Sequence, residues 1–471
     1  MLIVIREATR RFLSGHNPYT TYRTYDAQWN MALPYGPAMW GPFLIPQLLH
    51  LDFRIVSVIG ALFVPAWCGV AAGVEAARGR IAGAVSWLAV LAALVFALDL
   101  SKFTLIGHTP VYWPLLPLFA VMVMRGQWLA AACLLGVLVA ARTTMVALIP
   151  VFLMAVWSAD RRRLPAALLA LTLTGAAVLA PFIVWDYRAL WDGMIASYPR
   201  VMKAAVWESG GRGAIDTVGV TGWLLERHRE WLVIPVQVVV MVGVYLATWP
   251  AIRRGARPLP WMALALLAFS MTTLWPVYYI YYDVVLVLVS AALVETLEAG
   301  PIPMAVKPWL VSLTALVVLM AATIRIVASP FPSIAAGEIA PGLPLRTGFA
   351  SSEFDGQRKF AWIVRNEATI ILPRSSASAA DIVFTAQSPI DPTHPPQRMS
   401  AVLNGTMLAQ TSVLPGWQEI RFAAPASAWW IGFNELHLAF STTVSPREAG
   451  MGDDPRHLAL GVSRVDVVPR R

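Results

Sequence analysis

WLAAACLLGVLVAARTTMVALIPVFLMAVWSADRRR, residues 128–163, is the stretch on which the fold turns. From Trp128 to Trp157 it carries a single charge, Arg142, near its middle, and it ends in Arg161-Arg162-Arg163. Read as one helix, it crosses a bilayer once and leaves the arginine triplet on the side opposite the other basic loops. Read as two short segments, Trp128–Ala141 and Thr143–Trp157, it returns the triplet to their side, as the bias of Lys and Arg toward cytoplasmic loops demands. The second reading is adopted here. A helix broken at membrane depth is tolerated where it lines a cavity, and an arginine there is a functional-site candidate by default.

Apolar runs of crossing type continue on both sides of this stretch: Ile55–Val74, Ile81–Leu98 and Phe103–Met124 before it, then Leu164–Val184, Trp231–Pro250, Trp261–Trp275, Val277–Val294 and Trp309–Val327. With the two halves at Arg142 they make about ten segments. The composition agrees: 58% of the 471 residues are hydrophobic and 13% charged, where a soluble domain carries roughly 25% charged residues, and mean hydropathy is +0.62. The formal charge of +9 is a matter of topology rather than of nucleic-acid binding, because Arg78, Arg80, Arg125, Arg161 to Arg163, Arg253, Arg254, Arg257 and Lys307 fall on alternate loops. Cys68 and Cys133 both lie inside apolar runs, so neither a disulfide framework nor a cysteine metal site is expected.

This parity puts residues 1–51, the loop Asp99–Pro110, the long loop Trp185–Glu230 and everything after Val327 on the extracytoplasmic side of a multi-pass protein of the inner (plasma) membrane. The expected organisation is a first extracytoplasmic loop with amphipathic segments (1–51), a helical membrane domain (52–328), a Pro-, Ala- and Gly-rich linker (329–347) and an extracytoplasmic all-β sandwich (348–471). Arg6, Arg10, Arg11, Arg23 and Arg54 resist export, and no initial span precedes them. An upstream helix in the natural gene product is therefore expected, the alternative being inverted or unstable first helices.

The tail alternates in the manner of short strands: Phe360–Val364, Ala368–Leu372, Ile382–Ala386, Met399–Leu403, Glu419–Phe422, Glu435–Phe440 and Leu458–Val468. Asn404-Gly405 is a two-residue hairpin turn, which also accounts for the formal Asn404-Gly405-Thr406 glycosylation acceptor. Trp417, Trp429 and Trp430 either meet sugar faces in a glycan-binding jelly roll or belong to the core and the membrane surface.

In the membrane part, Gly15-His16-Asn17-Pro18-Tyr19 leads to Leu33-Pro34-Tyr35-Gly36-Pro37 and the proline-punctuated Gly41-Pro42-Phe43-Leu44-Ile45-Pro46. Ala141-Arg142-Thr143-Thr144 then leads to Ile149-Pro150, and Trp275-Pro276-Val277-Tyr278-Tyr279 opens a late segment. In this order the motifs resemble those of GT-C integral membrane glycosyltransferases, above all the bacterial polyprenyl-phosphate-mannose-dependent mannosyltransferase-like families, over most of residues 1–294. The resemblance implies a polyprenyl-phosphate-linked sugar as donor and an extracytoplasmic envelope glycan or glycolipid as acceptor. Such enzymes begin with a helix and an early acidic residue. Here Met1 stands where both are expected, so the carboxylate is either absent or supplied by Glu7 or Asp26.

Sugar transfer from a lipid phosphate needs a carboxylate to take the acceptor's proton and donors to hold the leaving phosphate. Asp26 is the first candidate for the carboxylate, with Glu7 and Asp283 behind it. Arg142, Lys102 and His108 are the candidate phosphate binders, with Arg200, Lys203 or Arg212 assisting, and Tyr35, Tyr278 and Asp283 complete the substrate-binding set. Plainer readings stand beside these: Arg142 pairs with a buried acid, the tyrosines form an interface belt, and Lys102 and His108 reach to headgroups. No cofactor is expected, since no metal-ligand cluster stands out. The alternatives are a catalytically inactive GT-C-like scaffold or glycan-binding membrane protein, and a transporter, against which the absence of an internal repeat counts.

Overall fold

The computed structural model describes residues 2–23, 30–49, 51, 53–94, 109–197, 219–225, 227–274, 280–301, 334–335, 346–374, 376–390, 396–430 and 432–470. Among the described residues, helices predominate as far as Glu298 and strands from Arg346 onward.

Helix α1 (Leu2–Leu13) buries Val4, Ile5 and Ala8. A two-stranded ribbon, β1 (Thr21–Arg23) with β2 (Asn30–Ala32), follows, and then two short helices, α2 (Pro37–Trp40) and α3 (Leu44–Leu48). The bundle proper comprises α4 (Arg54–Ala77), α5 (Ile81–Ala92), α6 (Leu115–Met124), α7 (Trp128–Ala141), α8 (Ile149–Asp160), α9 (Leu164–Trp191), the short α10 (Gly219–Leu225), α11 (Val233–Arg253), α12 (Pro258–Thr272) and α13 (Tyr281–Glu298). Among the described residues, three helical runs are long and apolar enough to cross a membrane: Arg54–Ala77, Thr143–Ala196 and Glu230–Arg253. The segment expected over Phe103–Met124 is corrected over its described part. Residues Thr109–Tyr112 form a 3-10 turn and the α-helix starts only at Leu115, because Pro110 and Pro114 lack the amide hydrogens that an uninterrupted helix needs. Residues 309–327, expected as a further span, lie outside the described residues.

At one end of the bundle the basic loops converge on the last turn of α13. Arg78 donates to the carbonyls of Thr296, Leu297 and Gly300, so its charge caps the negative end of that helix. Arg80 reaches Ala299 O at 3.2 Å, Arg125 lies 3.4 Å from Glu298, and Arg257 pairs with Glu295. These arginines belong to turns well separated in sequence and meet at one level of the fold.

The strands form two antiparallel sheets. One runs in the order β10 (Thr406–Val413), β9 (Gln397–Leu403), β12 (Gly432–Phe440), β7 (Glu367–Arg374), β4 (Arg346–Thr347). The other runs β11 (Gln418–Ala424), β8 (Ala380–Gln387), β13 (Leu460–Pro469), β6 (Lys359–Ile363), β5 (Phe349–Phe354), and β3 (Ile334–Ala335) also pairs with β13. Alternate residues point inward: Met399, Ala401 and Leu403 stand beside Leu436 and Leu438 of the neighbouring strand and share a continuous apolar core with the Phe384–Phe422 ring pair of the other sheet. Asn404 (φ 49°) and Gly405 (φ 84°) make the turn between β9 and β10, the left-handed pair that a tight hairpin requires. The Asn404 amide donates to Ala428 O and Asn434 Oδ1, each at 2.8 Å. Asn434, fully buried, is in turn held by Leu372 O, Trp430 O and the Trp430 amide.

The outer face of the β9–β12–β7 sheet meets the helical part. Glu435 and Ile371 stand opposite each other on neighbouring strands. Ile371 joins the hydrophobic core of the helical region, and Glu435 Oε2 accepts from Arg6 Nη2 of α1 at 2.8 Å.

Candidate functional site

The end of α7 is where the chain breaks. Arg142 adopts an extended backbone (φ −145°, ψ 123°), the 3-10 turn Thr143–Leu148 follows, and Pro150 near the start of α8 needs no amide partner there. The break frees the Arg142 side chain to turn into the protein, where it is 7% exposed. Its Nη1 donates to Tyr112 Oη at 2.7 Å and lies 3.1 Å from Asp283 Oδ2. That second contact is not aligned as a hydrogen bond, so the attraction across it is chiefly Coulombic. Tyr112 Oη donates to Asp283 Oδ1 at 2.6 Å. Asp283 is completely buried in the first turn of α13, where the helix dipole favours a negative charge, and Tyr282 beside it stacks on Trp113. Three elements distant in sequence thus close a cluster of arginine, tyrosine and aspartate. It sits at the opposite end of α13 from the basic loops, about 18 to 22 Å away by helix rise.

The first-loop motifs cover this break. Gly36 N donates to Ala141 O at 3.2 Å, and a Cβ at Gly36 would stand 1.8 Å from Ala140 O, so only glycine lets the loop lie against the end of α7. Asn17 Oδ1 accepts from the Tyr19 amide at 2.9 Å, Tyr19 Oη donates to Tyr35 O at 2.9 Å, and Trp40 Nε1 donates to Tyr19 Oη at 3.2 Å. Burial pushes the Tyr19 phenol far above its ordinary value, so it stays a neutral donor. Phe182 of α9 packs edge-on against both Tyr19 and Trp40. The asparagine and tyrosines of the motif therefore fix the loop in place, and Tyr35 is set beside the residue that ends α7.

Glu7 lies elsewhere. Its carboxylate is 2.9 Å from Arg10 and 3.7 Å from Arg6, beside the Arg6–Glu435 pair that joins α1 to the sandwich. Burial pushes its carboxyl above the usual value, against the opposing pull of Arg10 and Arg6. Asp26, Lys102, His108 and Tyr278, with Arg200, Lys203 and Arg212, lie outside the described residues. Of the sequence candidates, the structure brings Arg142 and Asp283 together, places Tyr35 one residue before the Gly36 that bonds to Ala141, and keeps Glu7 in a separate cluster. Sequence reasoning missed Tyr112. Its one signal was a hydroxyl-bearing aromatic between Pro110 and Pro114, at the head of an apolar run.

In the sandwich, Trp429 is a core residue, 2% exposed, with Arg374 over its ring, the core alternative of its sequence reading. Trp417 is half-buried, covered by Arg358 and touching Phe360, and its Nε1 lies 3.2 Å from Asp355. Trp430 stays partly exposed. Among the described residues no group of three His, Cys, Asp or Glu side chains could hold a metal ion.

No family model matches the chain, and no curated protein matches it. Solved structures similar to its C-terminal all-β part include the C-terminal carbohydrate-binding module of a marine laminarinase from Zobellia galactanivorans (13% identity, 26% of this chain and 90% of that one, TM-score 0.17). A family 35 carbohydrate-binding module from an environmental isolate is also similar (16%, 26% and 88%, 0.18). So is a family 43 arabinoxylan arabinofuranohydrolase from Bacillus subtilis (14%, 30% and 28%, 0.19).

Proposed function

We propose that this protein is a multi-pass membrane glycosyltransferase of GT-C type that moves a sugar from a polyprenyl-phosphate donor to an envelope glycan or glycolipid. The reaction takes place on the extracytoplasmic side, where the sandwich also lies. The observation that carries this reading is the buried arginine at a helix break, roofed by the very loop whose motifs resemble that family. Arg142 holds the departing phosphate, Tyr112 and Asp283 fix its guanidinium, and Tyr35 borders the donor. Asp26 receives the acceptor's proton. A guanidinium suits this task because it stays charged and presents several donors in one plane. The apolar exterior supports the membrane assignment: α11 leaves Ile234, Val238, Val239, Val242 and Leu246 exposed on a helix long enough to cross.

A second reading has its own observation. Asp283 and Tyr112 already engage Arg142, and Arg10 engages Glu7, as in a GT-C-like scaffold that binds glycan without catalysis. Transfer of labelled sugar from a polyprenyl-phosphate donor in proteoliposomes of the full chain separates the two. Activity that falls at least a hundredfold in Arg142→Lys and Asp26→Asn supports the enzyme. A folded protein with no transfer, or transfer indifferent to both changes, refutes it in favour of the scaffold.

A further inference from the structure

Helix α1 sets Arg6, Arg10 and Arg11 against one acidic residue of its own, Glu7. Arg6 is buried, 7% exposed, and a guanidinium out of water needs a counter-charge close by. Glu7 lies 3.7 Å from it and is nearer to Arg10, at 2.9 Å. The close partner of Arg6 comes from the far end of the chain: Glu435 of β12, at 2.8 Å, which also lies 3.5 Å from Arg10. Glu435 is held from behind. Its amide donates to Asn404 Oδ1 and its carbonyl accepts from the Asn404 amide, each at 2.8 Å, so the β9–β10 turn fixes the backbone that presents the carboxylate.

The other end of α1 runs into the loop that covers the break at Arg142. His16 N donates to Arg11 O at 2.9 Å, and Arg11 Nε donates to Asn17 O at 3.3 Å. Phe12 packs edge-on against Trp40, ring centroids 5.4 Å apart. Trp40 in turn holds Tyr19, and Tyr19 holds Tyr35, whose neighbour Gly36 bonds to Ala141. An unbroken series of ion pair, ring contact and hydrogen bonds therefore joins Glu435 to the residue before Arg142. Its weak point is electrostatic. Removing one partner of a buried pair costs more than the pair contributes, and without Glu435 the way for Arg6 to regain water is for α1 to lift, taking Phe12 from Trp40.

We infer that Glu435 of the sandwich is a positioning residue for the Arg142 site: by neutralising Arg6 it seats α1, and α1 seats the loop over the break. The part this plays in sugar transfer rests on the glycosyltransferase reading, whereas the seating itself does not. Hydrogen exchange of the full chain in detergent, read by mass spectrometry, tests the seating. Glu435→Gln keeps the side chain's size and both backbone bonds to Asn404, and is expected to speed exchange of residues 12–23 and 30–40 about tenfold while β9 and β12 stay protected. Arg6→Met added to Glu435→Gln leaves no buried charge and should restore protection to within about threefold. Glu367→Gln, at an exposed carboxylate of the same sheet, should change nothing in the loop. Unchanged loop exchange in Glu435→Gln overturns the inference. So does a double variant no better protected than the single one, or exchange that rises equally in β9 and β12, which would place the role of Glu435 inside the sandwich. In the proteoliposome assay Glu435→Gln should lower transfer about tenfold, and the double variant should recover it. No transfer by the unaltered chain, with the loop exchange still responding as expected, refutes the glycosyltransferase reading and upholds the seating.

Discussion

Removing Arg142, removing Asp283 and removing both together separates a buried charge pair from two independent contacts. Asp283 is 0% exposed, so no water replaces a lost partner. In Arg142→Met the carboxylate keeps the 2.6 Å hydrogen bond from Tyr112 and the neighbouring Trp113 indole, and a hydrogen bond to a charged group contributes about 1.5 to 3 kcal/mol net, less than the loss of the counter-charge. Breaking one side of such a pair costs about 3 to 5 kcal/mol, whereas replacing both sides by apolar groups of similar volume is often neutral. Arg142→Met and Asp283→Leu are each expected to lose roughly 3 to 5 kcal/mol, and the double variant is expected to recover most of that loss. For a helical part of about 300 residues, an unfolding entropy of roughly 2.1 cal/mol/K per residue makes 1 kcal/mol worth about 1.6 °C, so each single change lowers the melting temperature by roughly 5 to 8 °C. Thermal unfolding of the four full-length proteins in one detergent reads the cycle directly. Additive losses, with a coupling below about 0.5 kcal/mol, refute the claim that the cluster is one unit. The recovered double variant then reports on function without a folding defect: under the proposed chemistry it is stable and inactive.

Three further outcomes follow from particular contacts. Gly36→Ala puts a carbon 1.8 Å from Ala140 O and should cost about 1 to 3 kcal/mol or more by forcing the loop off α7, whereas Gly243→Ala in α11, with nothing within 4 Å, should gain up to about 1 kcal/mol; paired thermal melts check both. Because burial raises the Glu7 carboxyl above its ordinary 4.5, the folded state holds that proton more tightly than the unfolded one, so the Glu7 contribution falls as pH rises from 4.5 through the folded value. Glu7→Gln should remove this part of the pH dependence, and an unchanged stability profile between pH 4 and 8 would contradict it. Asn434→Ala strips a fully buried amide with four hydrogen-bond contacts and should destabilise the sandwich by about 2 to 4 kcal/mol, seen as faster proteolysis within residues 346–470 and no change at α7.

Much of the secondary structure was legible because each signal is local. The apolar run before Arg142 ends where α7 ends, the alternation around Met399 and Leu403 gives β9, and Asn404-Gly405 supplies the left-handed turn after it. These features depend on side-chain period and backbone preference within a few residues. The late start of α6 was misread because hydrophobicity ran straight through Pro110 and Pro114, where backbone chemistry and not polarity breaks the helix. The candidate site was legible only in halves. Arg142 and Asp283 each stood out as charges in apolar text, but nothing in a single sequence pairs residues from different helices.

The elements and their order follow from local pattern: apolar helices, a broken one at Arg142, basic turns between them and an alternating β tail. It is packing in three dimensions that makes Tyr112 bridge Arg142 to Asp283, closes Gly36 and its loop onto α7, and brings Arg6 to Glu435 across 429 residues of chain. Local patterns report which face of an element leaves water. Which buried charges then become partners depends on how those faces pack, since a charge removed from water is stable only where the fold delivers a counter-charge to it.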